Sequence, residues 1–409
     1  MGGHPEGHPE GHPEGHPEGL SGPALPQAPP ITCDEPGSFA RSVFQDRHPV
    51  LIRRILDAVP YGPERRRDFA ALLEESRSGT VAGLPRDAPD RAAWEEWGEG
   101  RFGRTWAELP FLWSESYFYR RLLDPAGYLA AGAWHGVDLF APFKDAELDG
   151  PGFAADLAAL DELPGLAPAD REHALLAAAV WGNQADLGFT MVAEAAAPEA
   201  SGTLVADESE RLWSLLDGGT VVVVTDNSAR EILADLALVD DLLASGRARE
   251  VDLLVKPRPY YVSDATTQDV LSCLRRMTAA PGEAARTGGR LLAALREGRL
   301  TLTAHPFACA PLGYRDMPDD LRERCAAARL TVMKGDLNYR RLVDDRLWPA
   351  TVPFADVTAY FPGPVATLRT LKSDTVAGLA PETVARLDAG GTAWRTSGTH
   401  ALVQVTVPG

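Results

Sequence analysis

Apolar positions along the chain follow two patterns that change near Gly218. From Phe39 to about Asp217 they recur every three to four residues, as in FARSVFQDRHPVLIRRIL, DFAALLEE and HALLAAAVWGNQADLGFTMV, which is the spacing of helices with one buried stripe. Almost no convincing strand interrupts them. Beyond Gly218, short β-branched runs alternate with amphipathic stretches: TVVVVTD, SAREILADLALVDDLLAS, VDLLVKP and TTQDVLSCLRRMTA. The alternation continues through LTLTAH, LRERCAAA, LTVMKGD, VATLRTL, a short helix near Glu382 to Leu387, and a final HALVQVTV. Strand and helix in turn predict a parallel sheet covered on both faces. The expected fold is α/β, with a parallel-rich, doubly wound α/β/α sheet domain over 218–409 and a mainly helical domain over 36–217.

Residues 1–35 stand outside this pattern. GHPE occurs four times in succession from Gly3 to Glu18, and the Pro-rich PALPQAPP follows, so a disordered tail is predicted. Its His4, His8, His12 and His16 have the chemistry to collect a transition metal, but evenly spaced histidines in a Pro/Gly repeat more often read as solvated low complexity.

Charge narrows the function classes. Forty basic residues against 58 acidic ones leave a formal charge of -18, which repels nucleic acid and anionic membrane surfaces. A negative protein that handles phosphorylated small molecules needs local positive charge, from a metal ion or a few Lys and Arg residues. The four cysteines, Cys33, Cys273, Cys309 and Cys325, form no CxxC pair, so neither a zinc site nor a disulfide framework is indicated. The longest strongly apolar stretches, such as ALLAAAVW from Ala174 to Trp181, are too short to span a bilayer, and a soluble cytoplasmic protein is expected.

In open α/β sheets ligands bind outside the carboxyl ends of the strands. Those positions are chemically loaded here. TVVVVTD runs into Asp226 and Asn227; VDLLVKP leads through Lys256 to Asp264; LTVMKGD leads to Lys334, Asp336, Asn338 and Arg340. Two Asp and one Asn offer hard oxygen donors, which suits Mg²⁺ or Mn²⁺ rather than zinc. Each cluster also has a local reading, since Asp and Asn cap helices and GDLN makes a turn. Two helical stretches, ESYFYRRLL (Glu115–Leu123) and WGNQADLG (Trp181–Gly188), set polar groups among large apolar ones and read as an aromatic core face, with Asn183 and Asp186 satisfied locally.

Taken in order, TDNSAREILADLALVDDLL, YYVSDA, KGDLNYRRL and LRTLKSDTVAGL resemble the motifs of the DUF89, or damage-control phosphatase, family. WGNQADL and ESYFYRRLL are similar to helical motifs of its acidic-residue-methyltransferase-like branch (subfamily III), and the resemblance covers about residues 40 to 405. It implies a metal-dependent phosphatase with a divalent ion, Mn²⁺ or Mg²⁺ with Co²⁺ or Ni²⁺ as alternatives, on Asp226, Asn227 and Asp264. Lys372 takes the family's phosphate-binding position. By this reading Lys334 or Arg340 helps clamp phosphate oxygens, Asn338 lies in the same cluster, and the helix N-terminus at Ser228 offers backbone N–H groups. Asp336 is a candidate proton-handling group, and Glu231 would hold a water or face solvent. The implied substrates are small phosphorylated metabolites, fructose phosphates among them. Ala229 and Arg230 depart from the branch, which usually has glycine and an aromatic residue there. Two alternatives remain open at this stage. One is S-adenosylmethionine-dependent protein carboxyl methyl transfer, which lacks a GxGxxG turn here. The other is a non-catalytic metal-binding interaction module.

Overall fold

The structure, a computed structural model, describes residues 28–182 and 203–408. Its centre is one seven-stranded sheet: β1 (Thr203–Asp207), β2 (Gly219–Val224), β3 (Ala248–Val255), β4 (Leu300–Ala304), β5 (Leu330–Lys334), β6 (Val365–Thr370) and β7 (His400–Thr406). The strand order is β1-β7-β6-β5-β2-β3-β4. Pairs from β6 through β5, β2 and β3 to β4 are parallel, whereas β7 runs antiparallel to β6 and parallel to β1.

The Val221–Val224 run shows why both faces are covered. Successive strand residues point to opposite sides. Val221 and Val223 enter one apolar cluster with the helices Pro168–Trp181, Arg230–Ala244, Thr267–Ala279 and Gly282–Glu297. Val222 and Val224 enter another with the helices Asp319–Ala327 and Gly335–Leu342. The fold is therefore α/β and doubly wound, as the alternation predicts. A third apolar cluster, drawn mostly from residues 31–140, is the core of the helical region.

Three boundaries differ from the sequence expectation. The sheet begins at Thr203, before Gly218; β1 has one buried residue, Val205, so it carries no apolar run to read. The helical region divides, because Leu148, Phe153, Leu160 and the Ala174–Trp181 stretch pack into the sheet's own core rather than into the helical one. Residues 28–35 are no tail: Ala28, Ile31 and Cys33 are buried, and Pro30 and Thr32 bridge to Arg346 and Pro110. The predicted repeat tail before residue 28 lies outside the described residues, as do Asn183 and Asp186. Among the described residues no helix is long and apolar enough to cross a membrane.

The strand order creates a crevice. From β2 the chain moves outward to β3 and β4, then returns to place β5 on the other flank of β2. Connections leaving β2 and β5 diverge at their carboxyl ends, and such a switch point is where open α/β sheets hold ligands.

Candidate active site at the switch point

Beyond β2 the backbone is pinned to the loop that follows β3. Ala265 N–H donates to the Asp226 carbonyl (2.8 Å) and Ser228 N–H to the Ser263 carbonyl (2.7 Å), so Asn227 and Asp264 face each other as an isolated antiparallel bridge. Ser263 Oγ donates to Asn227 Oδ1 at 2.6 Å. The Asn227 amide nitrogen donates to Asp226 Oδ2 and to Glu231 Oε2, both at 2.9 Å. Asn227 Oδ1 has two lone pairs, so one remains after the Ser263 bond.

The β3 loop is held in a strained form. Tyr261 and Val262 have φ of 43° and 68°, and positive φ is uncommon for a β-branched residue. The ESYFYRRLL helix supplies the restraint: Tyr119 stacks on Tyr261 with centroids 4.5 Å apart, and Ser116 Oγ lies 3.3 Å from the Tyr261 hydroxyl. Tyr117 and Phe118 on the same helix are core, as read from the sequence. Glu115, Ser116 and Tyr119 instead reach across to the site region.

Two carboxylates meet here with little water. Asp226 and Asp264 are 8% and 2% exposed. Burial, then the charges of Glu231 and Asp264, push the Asp226 pKa well above the carboxylate range, with Lys372 and Lys256 opposing. Burial likewise pushes Asp264 up to about 6 against the pull of Lys256 and Lys144. This carboxylate pair is short of positive charge.

The β5 side approaches closely. Gly335 has φ 82°, and a Cβ built there would lie 1.9 Å from Asp226 Oδ2. Lys334 lies one layer behind, its Nζ 2.9 Å from Asp235 and 3.9 Å from Glu231, and it donates to the Ala179 carbonyl. Burial would lower its pKa, but Asp235 and Glu231 raise it, so it stays a cation.

Three expectations on this segment need correction. Arg340 is no phosphate clamp: its guanidinium holds Asp345 and Glu115, each at 2.8 Å, and sits over the Phe111 ring. Asn338 is structural, donating to the Thr225 and Lys334 carbonyls and accepting from the Tyr314 hydroxyl. Asp336 is not poised to carry protons. Burial would raise its pKa, but Arg369 and Arg340 outweigh that and hold it below the carboxylate range. Its Oδ1 accepts from Arg369, from the Lys372 N–H (3.1 Å) and from Ser373 Oγ (3.1 Å). Its task is to shape the turn that carries Lys372.

That turn follows β6. Arg369 is fully buried, stacks over Tyr339 at 4.0 Å and donates to the Thr375 and Ser373 carbonyls. Lys372 is half-buried, its charge acts on Asp226, and among the described residues its ammonium enters no ion pair. The helix N-terminus beside Asn227 differs from expectation. Ser228 N–H is spent on Ser263, and the Arg230 N–H donates to the Glu147 carboxylate from the helical region. Arg230 itself grips Asp156 with two nitrogens, at 2.5 and 3.0 Å.

Ala229 caps this helix at φ 54° and ψ −117°, a conformation that suits glycine. Such strain costs about 1–3 kcal/mol, offset in an Ala229→Gly variant by roughly 1 kcal/mol from extra freedom of the unfolded chain and lost methyl burial. Ala229→Gly is expected to raise stability by about 1 kcal/mol, read as a higher denaturant midpoint at unchanged slope. A lower midpoint would show that methyl packing outweighs the strain.

The donor set fits a hard divalent cation. Asp226, Asp264 and the Asn227 carbonyl present oxygen only, in a place where charge is missing and Gly335 keeps room beside Asp226. Among the described residues no three His, Cys, Asp or Glu side chains form a ready-made metal cage, so Asn227 and water would complete the shell. Sequence reasoning missed Glu147, Lys144, Asp235 and Ser263. Only Ser263 carried a local signal, its place beside Asp264 in YYVSDA.

Residues 43–387 match the family described as the damage-control phosphatase ARMT1-like domain. The chain is 28% identical over 433 aligned positions to the Danio rerio protein named damage-control phosphatase ARMT1, covering 91% of this chain and 95% of that one. The Mus musculus protein of that name is 28% identical, with 92% and 98% covered. For the Homo sapiens protein the identity is 27%, with 91% and 97% covered. A solved DUF89 family protein from Pyrococcus horikoshii matches with a TM-score of 0.48 and 14% identity, over 84% of this chain and 93% of that chain.

Proposed function

Because the chain belongs to the damage-control phosphatase ARMT1-like family, we propose that it hydrolyses phosphate monoesters of small metabolites, sugar phosphates such as fructose phosphates foremost, at the β2/β5 switch point. The observation that carries this reading is the buried, charge-deficient pair Asp226 and Asp264 with Lys372, a lysine that enters no ion pair among the described residues, acting on it. Asp226, Asn227 and Asp264 would hold Mg²⁺ or Mn²⁺, which when bound neutralises charge and polarises a phosphoryl oxygen.

The chain's own residues do the positioning that phosphoryl transfer requires. Glu231 and Ser263 fix the Asn227 amide from both ends. Arg369 and Asp336 fix the turn that presents Lys372, whose ammonium binds non-bridging phosphate oxygens. In the reaction a water oxygen bonds to phosphorus and the ester P–O bond breaks. The departing alkoxide takes the proton that the attacking water gives up, so an alcohol and inorganic phosphate result.

The test is release of inorganic phosphate from a panel of phosphorylated metabolites with Mg²⁺, Mn²⁺, Co²⁺ or Ni²⁺ added. Turnover of sugar phosphates that stops on chelation is expected. Lys372→Ala should lower kcat/KM by about 10²-fold without weakening Mg²⁺ binding in the absence of substrate. Phosphate release at full rate after exhaustive chelation would refute the metal assignment, and silence across the panel would refute the substrate class.

A further inference from the structure

Among the described residues, Lys256 is the one buried lysine whose ion-pair partner is a proposed cation ligand. Its Nζ lies 3.3 Å from Asp264 Oδ2, and the side chain is 2% exposed. The backbone leaves it little freedom: its N–H donates to the Ala265 carbonyl at 2.8 Å, it bridges to Thr266, and its ammonium sits over the Tyr260 ring at 5.8 Å. The neighbouring lysine is differently placed. Lys144 Nζ holds the Asp264 carbonyl, but its charge is balanced by Asp138 at 3.1 Å and Asp269 at 2.8 Å. Lys334 is likewise balanced by Asp235.

We propose that Lys256 is a built-in counter-ion of the site, a positioning residue that holds Asp264, restrains the affinity of the carboxylates for a divalent cation, and leaves the loaded site positive enough for a phosphate dianion. This rests on the metal-dependent phosphatase reading above. The charge count gives the argument its sign. With Asp226 and Asp264 deprotonated, as cation coordination requires, they and Glu231 set three negative charges against the two positive charges of Lys256 and Lys372. A divalent cation turns the net −1 into +1, which attracts phosphate. Without Lys256 the empty site would be −2 and the loaded site neutral. Removing this lysine therefore strengthens cation binding and weakens anion binding, two opposite effects that a merely structural lysine would not produce.

The experiment titrates Mg²⁺ into the metal-free full chain at pH 8 by calorimetry, for wild type, Lys256→Met and Lys256→Arg, and then titrates inorganic phosphate into each at saturating Mg²⁺. Mg²⁺ is the probe because imidazoles such as His4, His8, His12 and His16 bind it poorly. Lys256→Met should bind Mg²⁺ about tenfold tighter and phosphate about tenfold more weakly, and Lys256→Arg should restore both. A melting transition verifies folding; if Lys256→Met lacks one, Lys256→Gln takes its place. Unchanged or weaker Mg²⁺ binding in the folded variant would overturn the inference while leaving the phosphatase reading intact. Failure of wild type to bind Mg²⁺ would overturn the reading beneath it.

Discussion

Asp226→Asn is expected to leave the metal-free protein at least as stable as wild type, and to lose most of the stabilisation by Mg²⁺ together with phosphatase activity. In the metal-free fold Asp226 is buried beside Glu231 and Asp264, and its pKa is raised. An acid with a raised folded pKa binds more protons folded than unfolded. Its effect on stability is therefore neutral below the unfolded value near 4 and increasingly unfavourable as pH rises through the folded value. Asp264, pushed up to about 6, adds a penalty that grows from about pH 4 through pH 6. Metal-free wild type should lose stability as pH rises above about 4, and Asp226→Asn should flatten that slope. The asparagine keeps the shape and can still accept from the Asn227 amide, so packing is little altered.

Metal binding is expected to reverse the ranking. A ligand that binds only the folded state stabilises it by about 2.7 kcal/mol at a hundredfold excess over its dissociation constant. Wild type should gain that shift and Asp226→Asn should keep little of it, with turnover reduced on the order of 10³-fold. Melting curves with and without Mg²⁺, from pH 4 to 8, read all of this. A full Mg²⁺ shift with wild-type turnover in Asp226→Asn would return Asp226 to a helix-capping role.

What the sequence revealed and what it hid follow from how far apart the interacting residues lie. Asp226 and Asn227 were legible because a β-branched run ended in polar residues, and strand ends in α/β sheets are where ligands bind. Lys372 came from a motif resemblance, and the structure leaves its ammonium without an ion pair among the described residues. Arg340 and Asn338 looked like site residues for the same strand-end reason as Asp336. Yet Arg340 finds Glu115 225 positions away, and Asn338 bonds to Thr225 113 positions away. No local pattern encodes such partners. Glu147 on the Arg230 N–H is the same kind of case, a cap supplied from another layer rather than by a neighbouring Ser or Asp. β1 was invisible for a different reason: an edge strand with one buried residue lacks the periodicity that marks a strand.

Gly335→Ala should damage both stability and activity, and the reason is a distance. The glycine has φ 82°, where an added Cβ costs roughly 1–2 kcal/mol. The new Cβ would also lie 1.9 Å from Asp226 Oδ2, 2.1 Å from its Cγ and 2.7 Å from its Cβ, far inside van der Waals contact. Asp226 must move or β5 must retreat from β2, and such overpacking costs a further 1–3 kcal/mol or so. Gly335→Ala is therefore expected to destabilise the metal-free protein by about 2–5 kcal/mol. A shift of Asp226 by about 1 Å should lower kcat by about 10²-fold even where the protein stays folded. The double variant Asp226→Ala/Gly335→Ala separates the causes. Removing the carboxylate removes the two closest overlaps but leaves the backbone strain, so the double variant should be more stable than the sum of the single losses by about 1–2 kcal/mol. Additive losses in chemical denaturation would mean that the left-handed backbone, rather than room for Asp226, is what requires glycine at the mouth of β5.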